Sequence, residues 1–509
     1  MTIEYINSSF PPPPFDDEFS LMAFYRDLYE GNHENIFPRA QELAKDGQIT
    51  KNDLRKSRRR YYKYNAEKLA QQHAVHHYVV VNFASVISEL PADLINRSLG
   101  NVSADTETDK SYLDFVESVT KHSKTKKNLW AAIVQHQVDG SVAYRIRKKD
   151  DKVWFEWKPS DFYLEHDDGL GCDIAWIENR GVNNKEQYLR VERQRLNENG
   201  LLLENLVYEM KHDTVKEQLD ISEYAERFDM EIIPEQELDG VDELMAGIVA
   251  NDETLMHPRG RSGLRNVDVI QEEINYTITR DSIVFEKHGK PKLAIPSRLW
   301  SSVSEKNKGH YGAPFVRNAD LEVVSYDEKN GAVPLYITWN AQTEQSFKHV
   351  TRLIDHMMAI SKTSPEAAGI NSGDGGRSAI AILYEWIQSV VKAEAIQRKF
   401  DAGLKEIYRK CAILENAISN TNLPVDSDIV MEWREMLPKA NDERNDEEIK
   451  KYEAGAQSLE QTVRAMHPEW SEEAIQAEIQ KIEDEKAIDS FSPQLIQPPK
   501  TAIGDEGDE

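Results

Sequence analysis

The stretch KTSPEAAGINSGDGGR, Lys362 to Arg377, decides how this chain is put together. Its Pro365, Gly369, Gly373, Gly375 and Gly376 make a continuous helix costly, at about 1 kcal/mol per glycine and about 3 kcal/mol for the proline. A loop is therefore predicted over 363–376. On its C-terminal side, Ser378 to about Ser419 has no proline and one glycine, and Ile380, Leu383, Ile387, Val390, Phe400, Leu404, Ile407, Cys411, Leu414 and Ile418 recur near helical spacing. A helix of that length runs about 60 Å at 1.5 Å per residue, which makes it an architectural beam.

Upstream of the loop, a helix is expected from about Asn340 to Ser361, striped by Phe347, Val350, Ile354 and Met357. One of similar length is expected from about Asn266 to Lys287, where Val267, Ile270, Ile274 and Ile278 fall on one face. Between the pair, His288 to Trp339 carries Pro291, Pro296, Pro314, Pro334 and short β-like runs such as Leu321 to Tyr326. Two helices of matching length with a β insertion at their far end describe a stalk carrying a head.

Further out the period changes to two. Val142, Tyr144 and Ile146 alternate with Ala143, Arg145 and Arg147, and Val153, Phe155 and Trp157 follow a turn at Asp150-Asp151, the pattern of antiparallel strands. Tyr188 to Leu196, Asn199-Gly200 and Leu201 to Met210 spell a second hairpin. The acidic stretch 212–250 is helix-prone. Ser20 to about Leu99 has helical spacing with a break at Leu90-Pro91, and the PPPPF tract is expected to be an extended, exposed arm. The fold class is α+β, helix-dominated.

The chain has 509 residues, 62 Lys+Arg and 89 Asp+Glu, a net charge of −27, with 39% hydrophobic residues. That is too long for one core and too apolar for wholesale disorder, and about three or four structural units are expected. The longest apolar stretch, Tyr78 to Ile87, contains Asn82 and falls short of the roughly 20 residues of a membrane helix. The start has neither a basic nor an apolar leader region. Two cysteines, Cys172 and Cys411, exclude a disulfide framework and a four-thiolate zinc site, so synthesis in a reducing cytoplasm is the simplest reading. Charge is uneven. Residues 441–509 hold 19 acids and 7 bases, whereas Lys51 to Arg60 (KNDLRKSRRR) has six bases to one acid and Lys287 to Asp320 seven to two. The first basic run reads as a solvated face before it reads as a contact; the second as a contact surface.

Chemistry is conspicuous by what fails. The glycine loop is not a Walker A loop, because Arg377 stands where lysine is required, Asn371 where a glycine is required, and a helix precedes it where a strand should. His73, His76 and His77 include an i, i+4 pair, but no Asp, Glu or Cys sits beside them, so structural histidines are favoured over a metal site. Asp167-Asp168 and the carboxylate runs 446–448 and 483–485 are hydrated faces. No Ser/His/Asp or Cys/His constellation is present. The chain reads as a non-enzyme with no cofactor and no metal.

The order of these parts, with RKSRRRYYKY at Arg55 to Tyr64 and SPEAAGINSGDGGRSAIAILYEW from Ser364, resembles the portal (connector) proteins of tailed bacteriophages, the type of long-tailed phages of Gram-positive hosts. The resemblance implies a portal fold of wing, stem, clip and crown: an arm and wing over 1–262, stem helices over 263–288 and 340–362, a clip over 289–339, a tunnel loop over 363–376, a long wing helix and return over 377–440, and an acidic crown and tail over 441–509. It implies a ring of about twelve subunits with a central DNA channel at one vertex of the virion capsid, assembled in the host bacterial cytoplasm. DNA is packaged and ejected through it. Implied partners are copies of itself, the terminase packaging ATPase, major capsid and scaffolding proteins, a head-completion adaptor and the double-stranded DNA in transit, with no membrane. The loop would meet DNA through Lys362, Asn371, Ser372, Asp374 and Arg377. The clip would dock terminase and adaptor through Lys287, Lys290, Lys292, Arg298, Lys306, Lys308 and Arg317. An acidic wall suits passage, since every phosphate held by Lys or Arg adds affinity to be broken at each step. The rival reading is a nuclease-like nucleic-acid-binding enzyme using the basic 51–60 segment.

Overall fold

The computed structural model describes residues 3–45, 49–50, 76–104, 110–150, 152–181, 183, 185–211, 213–288, 292–296, 322–326, 335–337, 343–370, 379–425, 429–437, 441–467, 470 and 472–490. It divides into two units, Met1–Met436 and Leu437–Glu509. The first unit opens with a docked segment, not the exposed arm expected from its prolines. Asn7 and Phe10 donate their amides to Val215 and Asp213, and Val215 donates back to Ser8, so the segment covers an otherwise open strand edge. Tyr5 is 1% exposed, and its hydroxyl donates to Asp173 Oδ2 at 2.8 Å. The same buried carboxylate takes Arg193 Nε at 2.9 Å and His166 Nε2 at 3.0 Å, and Arg193 also donates to the carbonyl of Ile3. Burial alone would raise the Asp173 carboxyl, but the hydrogen bonds from Arg193 and His166 outweigh it and hold the group below its ordinary range.

Helix α1 (Phe15–Glu30) follows, with Asp16, Asp17 and Glu18 in the turn where the dipole favours acids and Gly31 closing it at φ 72°. Short helices α2 (His33–Ile36) and α3 (Pro38–Lys45) lead to a two-residue parallel pairing of β1 (Ile49–Thr50) with β2 (His76–His77). His77 is thus on extended backbone, and His73, the other half of the i, i+4 pair, lies outside the described residues. Helix α4 (Phe83–Ser98) runs through Pro91, where the sequence predicted a break.

Strand β3 (Leu99–Ala104), α5 (Lys110–Ser123) and α6 (Thr125–Asp139) precede two sheets. In the first, β4 (Ser141–Lys149) and β5 (Lys152–Pro159) pair as the alternation predicts, Ile146 opposite Phe155 and Tyr144 opposite Trp157. The second is built from β6 (Tyr163–Glu165), β7 (Gly171–Arg180), β8 (Glu186–Leu196), β9 (Gly200–Lys211) and β10 (Thr214–Leu219). The Asn199-Gly200 hairpin is present, its turn held by Asn197 Oδ1, which accepts from both amides. A Cβ on Gly200 would stand 2.2 Å from the Leu238 carbonyl, so no other residue fits.

The acidic stretch expected to be helical contains only α7 (Ile221–Arg227); the rest is β10, β11 (Glu235–Asp239) and β12 (Ala246–Ala250). Strand pairing overrides local propensity there, since β10 and β11 join β9 and β12 joins β4, giving the order β12-β4-β5.

Next come α8 (Asp268–His288), a small sheet of β13 (Lys292–Pro296), β14 (Glu322–Tyr326) and β15 (Leu335–Ile337), then α9 (Thr343–Ile360), α10 (Ala379–Ser419) and β16 (Ile429–Trp433), which pairs with β3. At 41 residues α10 is the predicted beam. Its Phe400, Leu404, Ile407, Tyr408 and Cys411 are fully buried, with Phe400 5.7 Å from Trp157 and Tyr408 5.8 Å from Phe155 between ring centroids. The second unit consists of α11 (Asn441–Glu453), α12 (Leu459–Met466) and α13 (Glu472–Ser490). Ser458 caps α12 by accepting the amide of Gln461, and the helix ends with His467 as its C-cap.

Candidate functional site

The site is the helix pair α8/α9 with the segment that joins α9 to α10. The pair is fastened along its length: Ser346 Oγ donates to Asp281 Oδ2 at 2.5 Å, His349 Nε2 stands 4.0 Å from Glu273, and Phe285 stacks on Phe347 with centroids 6.5 Å apart. Helix α3 also leans on α8, where Arg39 pairs with the same Glu273 and lies over the ring of Tyr276. The three-stranded β13–β15 sheet sits between α8 and α9 in the chain, with β14 and β13 parallel and β15 antiparallel to β13.

The buried stripe of α8 is not the purely apolar one read from the sequence. Gln271, Asn275 and Thr279, four residues apart, are each 0% exposed. They hold the extended segment before α4: Thr279 Oγ1 accepts the amide of Val79 at 3.0 Å, Asn275 Oδ1 that of Val81 at 3.1 Å, and Gln271 Oε1 that of Phe83 at 3.2 Å. Gln271 Nε2 returns a bond to the Val81 carbonyl at 2.6 Å. Asn275 Nδ2 donates to His33 Nδ1 at 2.7 Å, while His33 Nε2 donates to the Leu28 carbonyl, which fixes the Nε2-protonated tautomer. Alternate backbone amides of the segment leading into α4 thus meet every fourth side chain of a helix. Sequence inspection passed over these residues because they share a stripe with Ile274 and Ile278; the signal was three polar residues recurring at i, i+4 on a face that should be apolar.

The loop after α9 is anchored at its start. Lys362 adopts φ 53°, and Thr363 N–H reaches back to the Met358 carbonyl at 2.9 Å, the left-handed closure in which glycine is the usual residue. Thr363 and Ser364 are buried; Ser364 N–H donates to Ser389 Oγ at 2.8 Å and Ser389 N–H to Ser364 Oγ at 3.4 Å. Amides of Ala368, Gly369 and Ile370 close turns on Ser364, Glu366 and Pro365. Near this anchor Lys392 of α10 donates to the Ile87 carbonyl at 3.3 Å. Burial, with the charge of Lys362 adding to it, pushes the Lys392 ammonium down to about 8.

Of the sequence-predicted contact residues, Lys362 is exposed at the α9 terminus, Lys287 falls in the last turn of α8, and Lys292 opens β13. Asn371, Ser372, Asp374, Arg377, Lys290, Arg298, Lys306, Lys308 and Arg317 lie outside the described residues, as does the basic run 51–60. Among the described residues no group of His, Cys, Asp and Glu is placed to hold a metal ion, and no helix is long and apolar enough to cross a membrane. Cys172 and Cys411 are buried and free. Burial raises both thiols, which keeps them protonated.

Against known proteins, no curated protein matches the chain. Among solved structures the chain is similar to one from the virion of a native gene transfer agent (GTA) particle, at 11% identity and a TM-score of 0.42, covering 79% of this chain and 93% of that one. Residues 308–490 match the family described as phage portal protein, SPP1 Gp6-like, and over that span, which takes in α9, the glycine loop, α10 and most of the acidic C-terminal unit, the likeness supports a phage portal role.

Proposed function

We propose that this protein is the portal subunit of a tailed phage: a ring, of about twelve copies, that forms the DNA channel at one capsid vertex and supplies no catalytic residue. The observation that carries the reading is the family match over 308–490, which begins between α8 and α9 and continues through the anchored loop and the 41-residue helix. In this reading α8 and α9 are the stem, the β13–β15 region is the clip on which terminase and the head-completion adaptor dock, and the loop after Lys362 projects towards the DNA. Major capsid and scaffolding proteins surround the ring in the virion, which is assembled in the host cytoplasm.

Surfaces left open on a single chain favour assembly. Tyr384, Ile387 and Val391 form a 3, 4-spaced stripe on α10 at 70%, 53% and 55% exposure, more apolar area than an isolated helix face leaves to water without cause. The nuclease-like alternative would rest on the basic 51–60 segment, which lies outside the described residues.

Light scattering and negative-stain imaging of the purified chain test the reading: a closed ring is expected, and a stable monomer under all ionic conditions overturns it. Deleting Ala368 to Asp374 should leave the ring and impair packaging or retention of DNA. Replacing Lys290, Lys292, Arg298, Lys306 and Lys308 by Glu should leave the ring and weaken terminase association in a salt-dependent way. Unchanged packaging in either variant removes the corresponding role.

A further inference from the structure

Beyond β12 the chain makes a projecting turn over residues 251–261, firmly held at its base. Asn251 N–H donates to the Gly140 carbonyl at 2.8 Å and Arg261 N–H to the Asn251 carbonyl at 2.7 Å, while Asn251 Nδ2 donates to the Arg261 carbonyl at 3.0 Å. Arg261 and Arg265 both pair with Asp252, and Arg259 reaches Glu18 of α1 and the Ser160 carbonyl. Further out, Thr254 and His257 exchange amide bonds at 3.2 and 2.9 Å, which leaves Leu255 and Met256 as the tip. They are the most exposed large hydrophobic residues among those described, Leu255 wholly and Met256 at 84%. Such a tip is ordinarily built from Gly, Pro, Asn, Asp or Ser; Leu and Met supply no turn chemistry and here bury nothing. Two apolar side chains on a clamped base are ordered before any partner arrives, so docking them costs little conformational entropy.

The complement lies on the same chain. Tyr384, Ile387 and Val391 form the exposed apolar stripe of α10, on the side opposite the buried Ser389, Ala393, Ile396 and Phe400. At about 10.5 Å from first to last, the stripe is short enough for two adjacent side chains to cover. Charge agrees. Arg398, seven residues past Val391 and so on the same face, is exposed, as is Glu253, two residues before Leu255, and neither forms an ion pair among the described residues. The contact is not closed within one chain, since tip and stripe both stand open in it. A surface and its complement at different places on one molecule make a head-to-tail contact between copies, which ends in a ring when the rotation closes. Asp252 and Glu253 beside the tip disfavour an anionic lipid surface or a nucleic acid as the occupant.

We propose that the Leu255-Met256 turn of one copy docks on the Tyr384, Ile387 and Val391 stripe of the next, with Glu253 of the first facing Arg398 of the second. The two apolar side chains are the anchor. The charge pair sets the direction along α10, because a reversed turn would carry Glu253 towards Tyr384 and leave Arg398 unmatched. The inference rests on the portal reading for the existence of a ring and deepens it by naming surfaces through which neighbouring copies meet.

Disulfide trapping in the full-length protein tests it. Cys172 and Cys411 are buried, so in Met256→Cys/Ile387→Cys only the introduced thiols are open to oxidation. The oxidised variant should run on a non-reducing denaturing gel as a ladder of chain multiples that extends to the full ring seen by negative stain. Independently, Glu253→Arg and Arg398→Glu, both surface changes, should each raise the concentration at half-assembly about tenfold, and the two together should restore it; this exchange decides the matter if the cysteine variant does not fold. A parent that forms rings while the cysteine pair links only within one chain or stops at dimers, or while the charge exchange does no better than its single changes, overturns this contact and leaves the portal reading standing. A parent that stays monomeric at every ionic strength overturns both.

Discussion

Lys392 Nζ donates to the carbonyl oxygen of Ile87 at 3.3 Å, and Ile87 stands four residues before Pro91 in α4. A proline inside a helix removes the amide that would satisfy the carbonyl at i−4. A side chain more than 300 residues further along the chain fills that vacancy, which explains how the helix continues through a residue that normally ends one. A double-mutant cycle checks the relation. Lys392→Ala should destabilise the wild type more than it destabilises Pro91→Ala, by about 1 kcal/mol, because an alanine at 91 supplies its own N–H. Equal costs in urea denaturation would show the contact to be incidental.

The same lysine makes stability depend on alkaline pH. Its folded value is about 8 against an ordinary 10.5, so between those limits the unfolded chain binds more protons than the folded one. Stability therefore rises as pH goes from 8 to 10.5 and is flat in this respect on either side. Lys392→Ala should remove that rise, measurable as thermal midpoint against pH.

Lys362 serves two ends that a substitution can separate. Its left-handed backbone costs a non-glycine residue about 1 kcal/mol, so Lys362→Gly should stabilise the fold by roughly that amount while deleting the charge. If the lysine also touches DNA, the variant will be thermally stronger and a poorer packaging component.

At the N-terminus, Tyr5→Phe removes a single hydrogen bond to Asp173 and should cost about 1 kcal/mol. Asp173→Asn leaves Arg193 without its counter-charge and should cost about 3–5 kcal/mol. Because the Asp173 carboxyl lies below its ordinary value of 3.8, its contribution is complete above that pH and is lost as pH falls through the folded value. Proteolysis within residues 3–10 should accelerate in acid, and Asp173→Asn should be cut at that rate already at neutral pH.

Asn275→Ala strips the Val81 amide, His33 and Gln271 of a shared partner inside a fully buried contact. A loss of about 2–3 kcal/mol is expected, together with faster amide exchange at Val79, Val81 and Phe83. Normal protection of those amides would show that water replaces Asn275 without penalty.

Much of this architecture was legible in the residues. The β4–β5 and β8–β9 hairpins were visible because alternation reports a half-buried strand directly, and α10 because nothing in Ala379–Ser419 interrupts it. The failures share a cause: the deciding partner is remote. Pro91 is rescued by Lys392, the proline-rich start is docked through Tyr5 on Asp173, and 214–219 and 235–239 become strands because β9 offers them an edge. No local pattern around Pro91, Tyr5 or Val215 carries that information. At the site, the two helices were readable from spacing, while the polar stripe on α8 was not, since its partners are backbone amides, which every sequence possesses.

The three rungs on α8 also obey an arithmetic of their own. Four helical residues advance about 6.0 Å and two extended residues about 6.6–6.8 Å, so the step from Val79 to Val81 outruns the helix by under an ångström, and the turn at Asn82, where Phe83 N–H reaches back to the Val81 carbonyl at 3.1 Å, shortens the next. The side chains lengthen by one bond at each step, Thr279 to Asn275 to Gln271, while the bonds stay between 3.0 and 3.2 Å. The segment must therefore lean away from α8 as it climbs, like a vernier laid at an angle to its scale. Its divergence is written into the order of three side chains, and exchanging Thr279 with Gln271 would reverse the tilt and leave the entry to α4 pointing the wrong way.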